Sequence, residues 1–332
     1  MAPAANGNLT NRSHLFRQLF MVLSPRSLSY ANLALRSLFR NAVEPIHLTL
    51  ITDSFADKQR LADELSALES ADIAGHVWSI FSQAELGERE NTRFAKLENL
   101  RNFRRGHPCW RKITDPLLLN SDGQEMILLD PDVYFPNRFR FEQTPETGLL
   151  LMWQKPCCLL PAEVVQIAIK AKVPLAHHVD IGVAHWRGPV DLEWLDWLIG
   201  TLGARQLPHS MHVEAIVWAA LGMRIGGGYL DPRFWVCWRR TQYKRVLRKL
   251  GASGTFIIGR ENLVEAKCFH AGGEAKWWLP GAYELGLLDQ NGTVEAPGAV
   301  RPFVELTPSK YNLLQRNRRW LHRLGYYTMF GQ

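Results

Sequence analysis

The sequence predicts an α/β protein with a mostly parallel central sheet flanked by helices, and three features carry that reading. Met126-Ile-Leu-Leu129 runs without polar interruption into Asp130-Pro-Asp132, as a strand buried on both faces and ending in a charged tip would. Residues 19–23, 24–40 and 46–51 read as strand, amphipathic helix and strand, the pattern of a crossover unit. The chain has 332 residues, 46% of them hydrophobic, enough to bury one sizeable core.

The opening unit follows from its residue types. Ser24-Pro25 suits a helix start, Leu33, Leu35, Leu38 and Phe39 supply an apolar side, and Arg36 and Arg40 fall toward the end, where the helix dipole favours cations. Residues 54–68 read as a second helix and 74–81 as a third strand. Residues 93–105 form a basic helix candidate, followed by Trp110-Arg-Lys112. This stretch is either a solvated charged face or the flank of a nucleotide site, where Trp-Arg-Lys would stack on and neutralise a diphosphate. Beyond the Asp-Pro-Asp come a strand at 148–153, a helix at 161–172, the segment 177–186, a tryptophan-rich helix at 191–202 and another beginning near His209.

Open α/β sheets bind ligands outside the carboxyl ends of their strands, which is where Asp130 and Asp132 fall. Pro131 holds Asp130 extended as the chain turns, so both carboxylates can converge on one cation; the plain alternative is a solvated turn. A second group, Lys267-Cys-Phe-His270-Ala-Gly-Gly273-Glu-Ala-Lys276-Trp277-Trp278, supplies an imidazole, a glycine that lets backbone approach an anion, and a lysine for phosphate. Two carboxylates, one imidazole and a lysine describe a site for a divalent cation holding a diphosphate, and the imidazole favours Mn²⁺ over Ca²⁺.

His270, Gly273, Lys276 and Trp278, spaced His-x-x-Gly-x-x-Lys-x-Trp and set after an Asp-x-Asp, resemble the pattern of the family 8 glycosyltransferases, the group of glycogenin and the bacterial lipopolysaccharide galactosyltransferases. Trp277 stands where that family has proline. The resemblance implies a GT-A fold, a nucleotide diphosphate sugar donor that is most simply a UDP-sugar, and transfer with retention. It also implies Mn²⁺, or Mg²⁺, held by Asp130, Asp132 and His270. One catalytic domain is expected over residues 1–308, with nucleotide and metal in about 15–155 and the acceptor in about 156–308, ahead of a basic tail at 309–332.

Ser24, Lys112, Asp130, Gly273 and Lys276 are the expected nucleotide-sugar contacts, Lys112 standing where the family often carries arginine. Asp180-Ile-Gly182-Val183 resembles the family's Asn-x-Gly-Val with aspartate for asparagine, so Asp180 either hydrogen-bonds donor hydroxyls or caps a strand end. Glu214 falls where the family shows an acidic residue followed by glutamine, but Ala215 comes next; Glu214 either touches substrate or caps its helix. With Lys276, which would meet the leaving diphosphate, these two are the expected catalytic residues.

Other features bound the reading. His177, His178 and His185 fit no zinc spacing and read as structural. Five cysteines, odd in number and without Cys-x-x-Cys, suggest neither a disulfide framework nor a cysteine zinc site and fit a reducing compartment. Residues 1–17 lack a basic stretch followed by an apolar core, and no run approaches the ~20 apolar residues of a membrane span, so a cytoplasmic protein, soluble or peripheral, is expected. The acceptor motifs Asn8-Leu-Thr10 and Asn11-Arg-Ser13 are assigned no role. Ten of the twelve tryptophans follow residue 150, where they suit either sugar faces or a core.

The formal net charge is +7, residues 233–249 hold seven basic side chains and no acidic one, and 310–332 add five more, again without an acid. An anionic partner follows, either a membrane surface or a phosphorylated glycan, and with it a glycan or lipid-linked glycan acceptor at the inner face of a membrane. In the tail, Leu313, Leu314, Trp320, Leu321 and Leu324 form an apolar stripe for the membrane or for the domain. A nucleic-acid-binding module would use the same basic and aromatic residues but leaves Asp130, Asp132 and His270 without a purpose, so no nucleic acid is expected. A sugar nucleotidyltransferase should show a glycine-rich loop after the first strand, and Leu23-Ser-Pro-Arg-Ser-Leu-Ser29 has no glycine. The intact ligand set speaks against an inactive scaffold.

Overall fold

The computed structural model describes residues 16–68, 75–120, 123–155, 158–187 and 189–330; both glycosylation-acceptor motifs and Cys157 lie outside the described residues. The chain opens with β1 (Arg17–Val22), α1 (Leu28–Asn41), β2 (Ile46–Thr52), α2 (Phe55–Ser66) and β3 (Val77–Ser82). Then come α3 (Gly87–Arg93), α4 (Glu98–Arg104), α5 (Arg111–Leu119), β4 (Glu125–Leu129), β5 (Val133–Tyr134) and β6 (Arg138–Phe139). The middle comprises β7 (Leu149–Trp153), α6 (Ala162–Lys170), β8 (Val179–Arg187), α7 (Leu192–Leu202), α8 (Val213–Ile225) and β9 (Gly227–Tyr229). It is followed by β10 (Trp235–Cys237), α9 (Gln242–Lys249), α10 (Gly254–Ile258), β11 (Cys268–His270), α11 (Leu279–Glu284), β12 (Thr293–Val294), β13 (Arg301–Pro302), α12 (Pro308–Arg323) and α13 (Tyr326–Phe330).

The central sheet runs β13-β9-β7-β8-β4-β1-β2-β3. β4, β1, β2 and β3 are mutually parallel, as is the pair β7–β9, whereas β8 runs antiparallel to both β4 and β7. β4 is therefore central, as its sequence implied, but parallel on one side only. Alternation along the strands divides the core into two apolar layers. Leu19, Met21, Ile127 and Leu129 pack with α1 on one face, and Phe20, Met126 and Leu128 pack with Trp186, Trp218 and α8 on the other. Most tryptophans of the second half are accounted for in this way or at the cleft rim described below, with Trp186, Trp218 and Trp235 fully buried.

The helices start where side chains can cap them. Ser54 accepts from the Asp57 amide, Asp191 from Trp194, Thr241 from Lys244 and Thr307 from Lys310, each worth about 1 kcal/mol. The expected single basic helix at 93–105 is instead two helices, with a break at 94–97. Phe94 and Leu100 are both completely buried. Six residues apart, they would lie about 120° apart around one continuous helix, and the break lets both reach the core. The basic side chains of this stretch serve the fold: Arg104 is buried between Glu90 and Asp115, 2.7 Å from the latter, and Arg105 and Arg101 also meet Glu90.

A small second sheet, β10-β11-β5, stands over the tip of β4. It is fixed from beneath by a buried ion pair. The Lys267 ammonium, fully buried, donates to Glu142 Oε1 at 2.8 Å, and the same oxygen accepts from Trp235 Nε1 at 3.0 Å, so the residues that begin β10 and precede β11 hang on one carboxylate. Lys267→Ala leaves that carboxylate buried without its counter-charge and is expected to lower unfolding free energy in denaturant melts by about 3–5 kcal/mol. A loss under ~1 kcal/mol would show that the pair does not hold this sheet.

Candidate active site

The parallel strands β1, β2 and β4 end at one edge of the sheet, β7 ends there too, and antiparallel β8 begins there. Side chains from all five points meet in one cleft of about 740 Å³: Leu23 and Ser24 after β1, Asp53 after β2, Asp130 and Asp132 after β4, Gln154 after β7, and Asp180 at the start of β8. The starts of α5 and α8 with the residues before them, 108–112 and 211–215, and the segment 270–276 close its sides. Nine of the residues singled out in the sequence line this cleft: Ser24, Lys112, Asp130, Asp132, Asp180, Glu214, His270, Gly273 and Lys276.

His270 reaches it because β11 pairs antiparallel with β5, His270 opposite Val133, and the Ala271 amide donates to the Asp132 carbonyl at 2.9 Å. Its Nε2 stands 3.3 Å from Asp132 Oδ1 and 3.8 Å from Asp130 Oδ2. The imidazole Nδ1 lies 2.7 Å from Asp180 Oδ1, which also accepts from the Gly182 amide at 2.9 Å. Lys276 Nζ lies 3.9 Å from Asp132 Oδ2 and rests over the Tyr30 ring, with Gly273 in the left-handed backbone region three residues before it. The Lys112 ammonium, buried, sits between Asp130 Oδ1 at 2.7 Å and Glu214 Oε1 at 2.9 Å, while Glu214 Oε2 is buried without a partner. Both oxygens of the lysine's contacts are thus carboxylate, which leaves Lys276 as the cation nearer the open space.

The electrostatics follow from this crowding. Burial would push the His270 imidazole down, but the charges of Asp180 and Asp132 outweigh it and hold it well above its usual range. Burial works against Asp132 too, yet His270 and Lys276 bring its carboxyl down to about 2. Asp130 goes the other way: burial and the neighbouring Asp132 charge raise it against the pull of Lys112. Glu214 is raised to about 8, by burial first, with Lys112 opposing and Asp130 adding. Lys112 resists burial because Asp130 and Glu214 keep it charged.

Asp130, Asp132 and His270 can each offer one donor atom to a shared ion, the atoms lying within 4.8 Å of one another. Two hard carboxylate oxygens with one imidazole nitrogen suit Mn²⁺ or Mg²⁺. Cys237 forms a second such group with Asp180 and His270, but burial raises its thiol to about 12, so the neutral sulfur is a poor ligand. His177 and His178 stack on each other and His185 is buried in the core; among the described residues none joins a ligand group. The described cysteines are free thiols.

The Trp-Arg-Lys expectation divides. Trp110 is buried, stacked on Phe103 with ring centroids 4.7 Å apart and donating to the Ser210 carbonyl, so it faces the core and is no stacking platform for a nucleotide. Arg111 lines the cleft, pairs with Asp53 and keeps its Nη1 buried without a partner. Sequence reading assigned Gly182 no role beyond its place in Asp180-Ile-Gly182-Val183, and it did not single out Arg240 or Tyr30. A glycine two residues after an aspartate was a visible signal for the first; the others carry none.

Against solved structures the chain is similar to mouse xyloside xylosyltransferase 1, with 13% identity, 78% of this chain and 98% of that one covered, and a TM-score of 0.49. It is similar to the galactosyltransferase LgtC in complex with donor and acceptor sugar analogues, at 13% identity, 81% and 92% coverage and 0.45. It is also similar to the mannosyltransferase Ktr4p of S. cerevisiae in complex with GDP, at 10% identity, 64% and 68% coverage and 0.38. No family model and no curated protein matches the chain.

Glu214 gives the site a pH signature. A carboxyl raised from 4.5 to about 8 binds its proton more tightly folded than unfolded, so its contribution to stability is complete below pH ~4.5 and is lost as pH rises toward 8. Metal-free Glu214→Gln, neutral throughout, is expected to gain in melting temperature relative to wild type as pH rises across that window. A difference that stays flat would mean that Glu214 is ionised throughout.

Proposed function

We propose that this chain is a metal-dependent glycosyltransferase that moves a sugar from a nucleotide diphosphate sugar, most simply a UDP-sugar, to a glycan or lipid-linked glycan acceptor. The observation that carries the reading is the convergence of Asp130, Asp132, His270 and Lys276, drawn from sequence segments 140 residues apart, at the strand-end edge of one cleft. Asp130, Asp132 and His270 would hold Mn²⁺ or Mg²⁺. A divalent cation bound there supplies positive charge to diphosphate oxygens.

The chain's own residues account for the rest. Lys276 hydrogen-bonds the departing diphosphate, its charge favouring the leaving group as negative charge develops. Glu214 presents its unpartnered oxygen to the sugar, and Lys112 holds Glu214 and Asp130 in place. The open stretch from Gln154 to Trp238 and Arg240 receives the acceptor. Retention, implied by the family resemblance, places acceptor and leaving diphosphate on one face of the sugar or calls for a nucleophile beyond it.

Screening nucleotide sugars for Mn²⁺-dependent hydrolysis and transfer tests the reading. Asp132→Ala is expected to abolish turnover in a chain that still folds, with a lower melting temperature in the metal-free protein because the carboxylate paired with His270 is gone, and Lys276→Ala to lower turnover at saturating donor roughly ten- to a hundredfold, the ~1.5–3 kcal/mol of a charge-assisted contact. Full activity in Asp132→Ala, or no metal-dependent donor turnover with any nucleotide sugar, would remove the function.

We also propose that a basic face, built from two sequence blocks without acidic residues although Lys244 pairs with Glu261 from outside them, carries the protein to an anionic membrane. The two basic blocks, α9 and the tail helices, are neighbours: the Tyr326 hydroxyl meets Gln242, and the Arg245 guanidinium lies over the Tyr326 ring at 5.7 Å. Tyr243, Leu250, Trp320, Leu324 and Met329 are exposed around them, whereas Tyr311 is buried and Leu314 packs on the core, so the apolar stripe of the tail is shared between domain and surface. No helix among the described residues is long and apolar enough to cross a membrane. Because the start of α12 is structural, the test keeps the full chain. Replacing Arg316, Arg319, Arg323 and Trp320 by serine is expected to abolish low-salt flotation with anionic vesicles, each cation contributing about 1 kcal/mol; equal recovery of both proteins would make the tail purely structural.

A further inference from the structure

Asp180 and Gly182 make contacts that neither ligation of a cation nor recognition of a sugar requires of them. Asp180 Oδ1 is fixed by two groups, the Gly182 amide at 2.9 Å and His270 Nδ1 at 2.7 Å. An ionised carboxylate only accepts, so Nδ1 carries a hydrogen, and Nε2, which faces Asp132 and Asp130, is the nitrogen left to offer its lone pair once a cation displaces its proton. Gly182 is shaped for the same ring. A Cβ built there would lie 2.5 Å from His270 Cγ and Nδ1, so any other residue would push the imidazole away from the strand. The Gly182 carbonyl in turn accepts from the Asp130 amide at 2.9 Å, so the residue that seats the imidazole also seats one of the carboxylates it faces.

The backbone is arranged to make this possible. Along β8, Ala184 pairs with Leu151, but the next pairing joins Asp180 to Met152, so residues 181–183 are extra on the β8 side. Such an irregularity re-aims side chains at the edge of a sheet. It turns Asp180 and Gly182 toward β11 while Val183 keeps its pairing with Leu129 of β4.

We propose that Asp180 and Gly182 are positioning residues: together they form a cradle on β8 that fixes the tautomer and orientation of His270 and so presets the cation site. The assignment rests on the reading of Asp130, Asp132 and His270 as cation ligands, and it gives Asp180 a role through the imidazole rather than on the donor sugar. A carboxylate on the far nitrogen of a ligating histidine also makes it a stronger ligand, and loss of such a partner typically weakens metal binding 10- to 100-fold.

The test is Mn²⁺ affinity of the full chain by calorimetry, without donor or acceptor. Asp180→Ala and Gly182→Ala are each expected to weaken Mn²⁺ binding about 10- to 100-fold, and Asp180→Asn, whose amide oxygen still accepts from Nδ1–H, to recover most of the loss. In a His270→Ala background, Asp180→Ala should change affinity no further, because it acts through the ring that is gone. Wild-type affinity in Asp180→Ala, Asn as weak as Ala, or full additivity with His270→Ala overturns the cradle. If Asp180→Ala fails to fold, the Asn and Gly182→Ala variants decide alone. Loss of Mn²⁺ in Asp132→Ala with no effect at Asp180 sinks the cradle alone; a wild-type chain that does not bind Mn²⁺ sinks the cation reading and the cradle with it.

Discussion

The antiparallel pairing of Val133–Tyr134 with Phe269–His270 is the constraint on which the site depends. It joins two segments far apart in sequence with only two residue pairs, and it sets which face His270 presents. Side chains alternate along a strand, so a slip of one residue would turn the imidazole away from Asp132 and put Phe269 in the cleft. The register is held by what surrounds it. Phe269 is completely buried, the Trp238 amide donates to the His270 carbonyl at 2.8 Å, and Lys267 is tied to Glu142 beneath. An error in register would expose the phenyl ring and strand a buried ammonium, and both penalties exceed what two ladder pairings could recover.

The same compactness forces the site to balance its charges internally. Asp130, Asp132, Asp180 and Glu214 face Lys112, His270 and Lys276, and all but Lys276 are buried. Four carboxylates against three cations leave an excess of negative charge if every group is ionised, and that excess is felt most by the carboxyl with the least support. Glu214 has one ammonium, shared with Asp130, and one bare oxygen. Asp132, which has His270 beside it and Lys276 nearby, is brought down to about 2. Arg111 with Asp53 and Arg240 with Glu274 at 3.0 Å pair locally at the cleft wall and leave the central imbalance untouched.

Much of this was legible in the residues. An apolar run ending in Asp-Pro-Asp specifies a strand and the edge at which it stops, and the opening strand, helix and strand fall where their patterns put them. What stayed hidden depends on contacts distant in sequence. Nothing local marks residues 94–97 as a break; Phe94 and Leu100 dictate it only once a common core exists. Trp110 has the composition of a stacking platform, and only Phe103 and the Ser210 carbonyl show that it faces inward.

Asp180 shows where a sound rule runs short. Ligands gather outside the carboxyl ends of parallel strands, and by that rule a residue at the start of a strand should lie at the opposite edge. β8 is antiparallel to β4, so its beginning lies beside the end of β4, and Asp180 and Asp130 become neighbours from opposite ends of their strands. The direction of β8 is not written in Val179–Arg187, a nearly continuous buried run that would serve a strand of either direction. Its direction is set by the whole sheet, and with it the fact that an aspartate and a glycine at one strand's start can hold a histidine that lies ninety residues later in the chain.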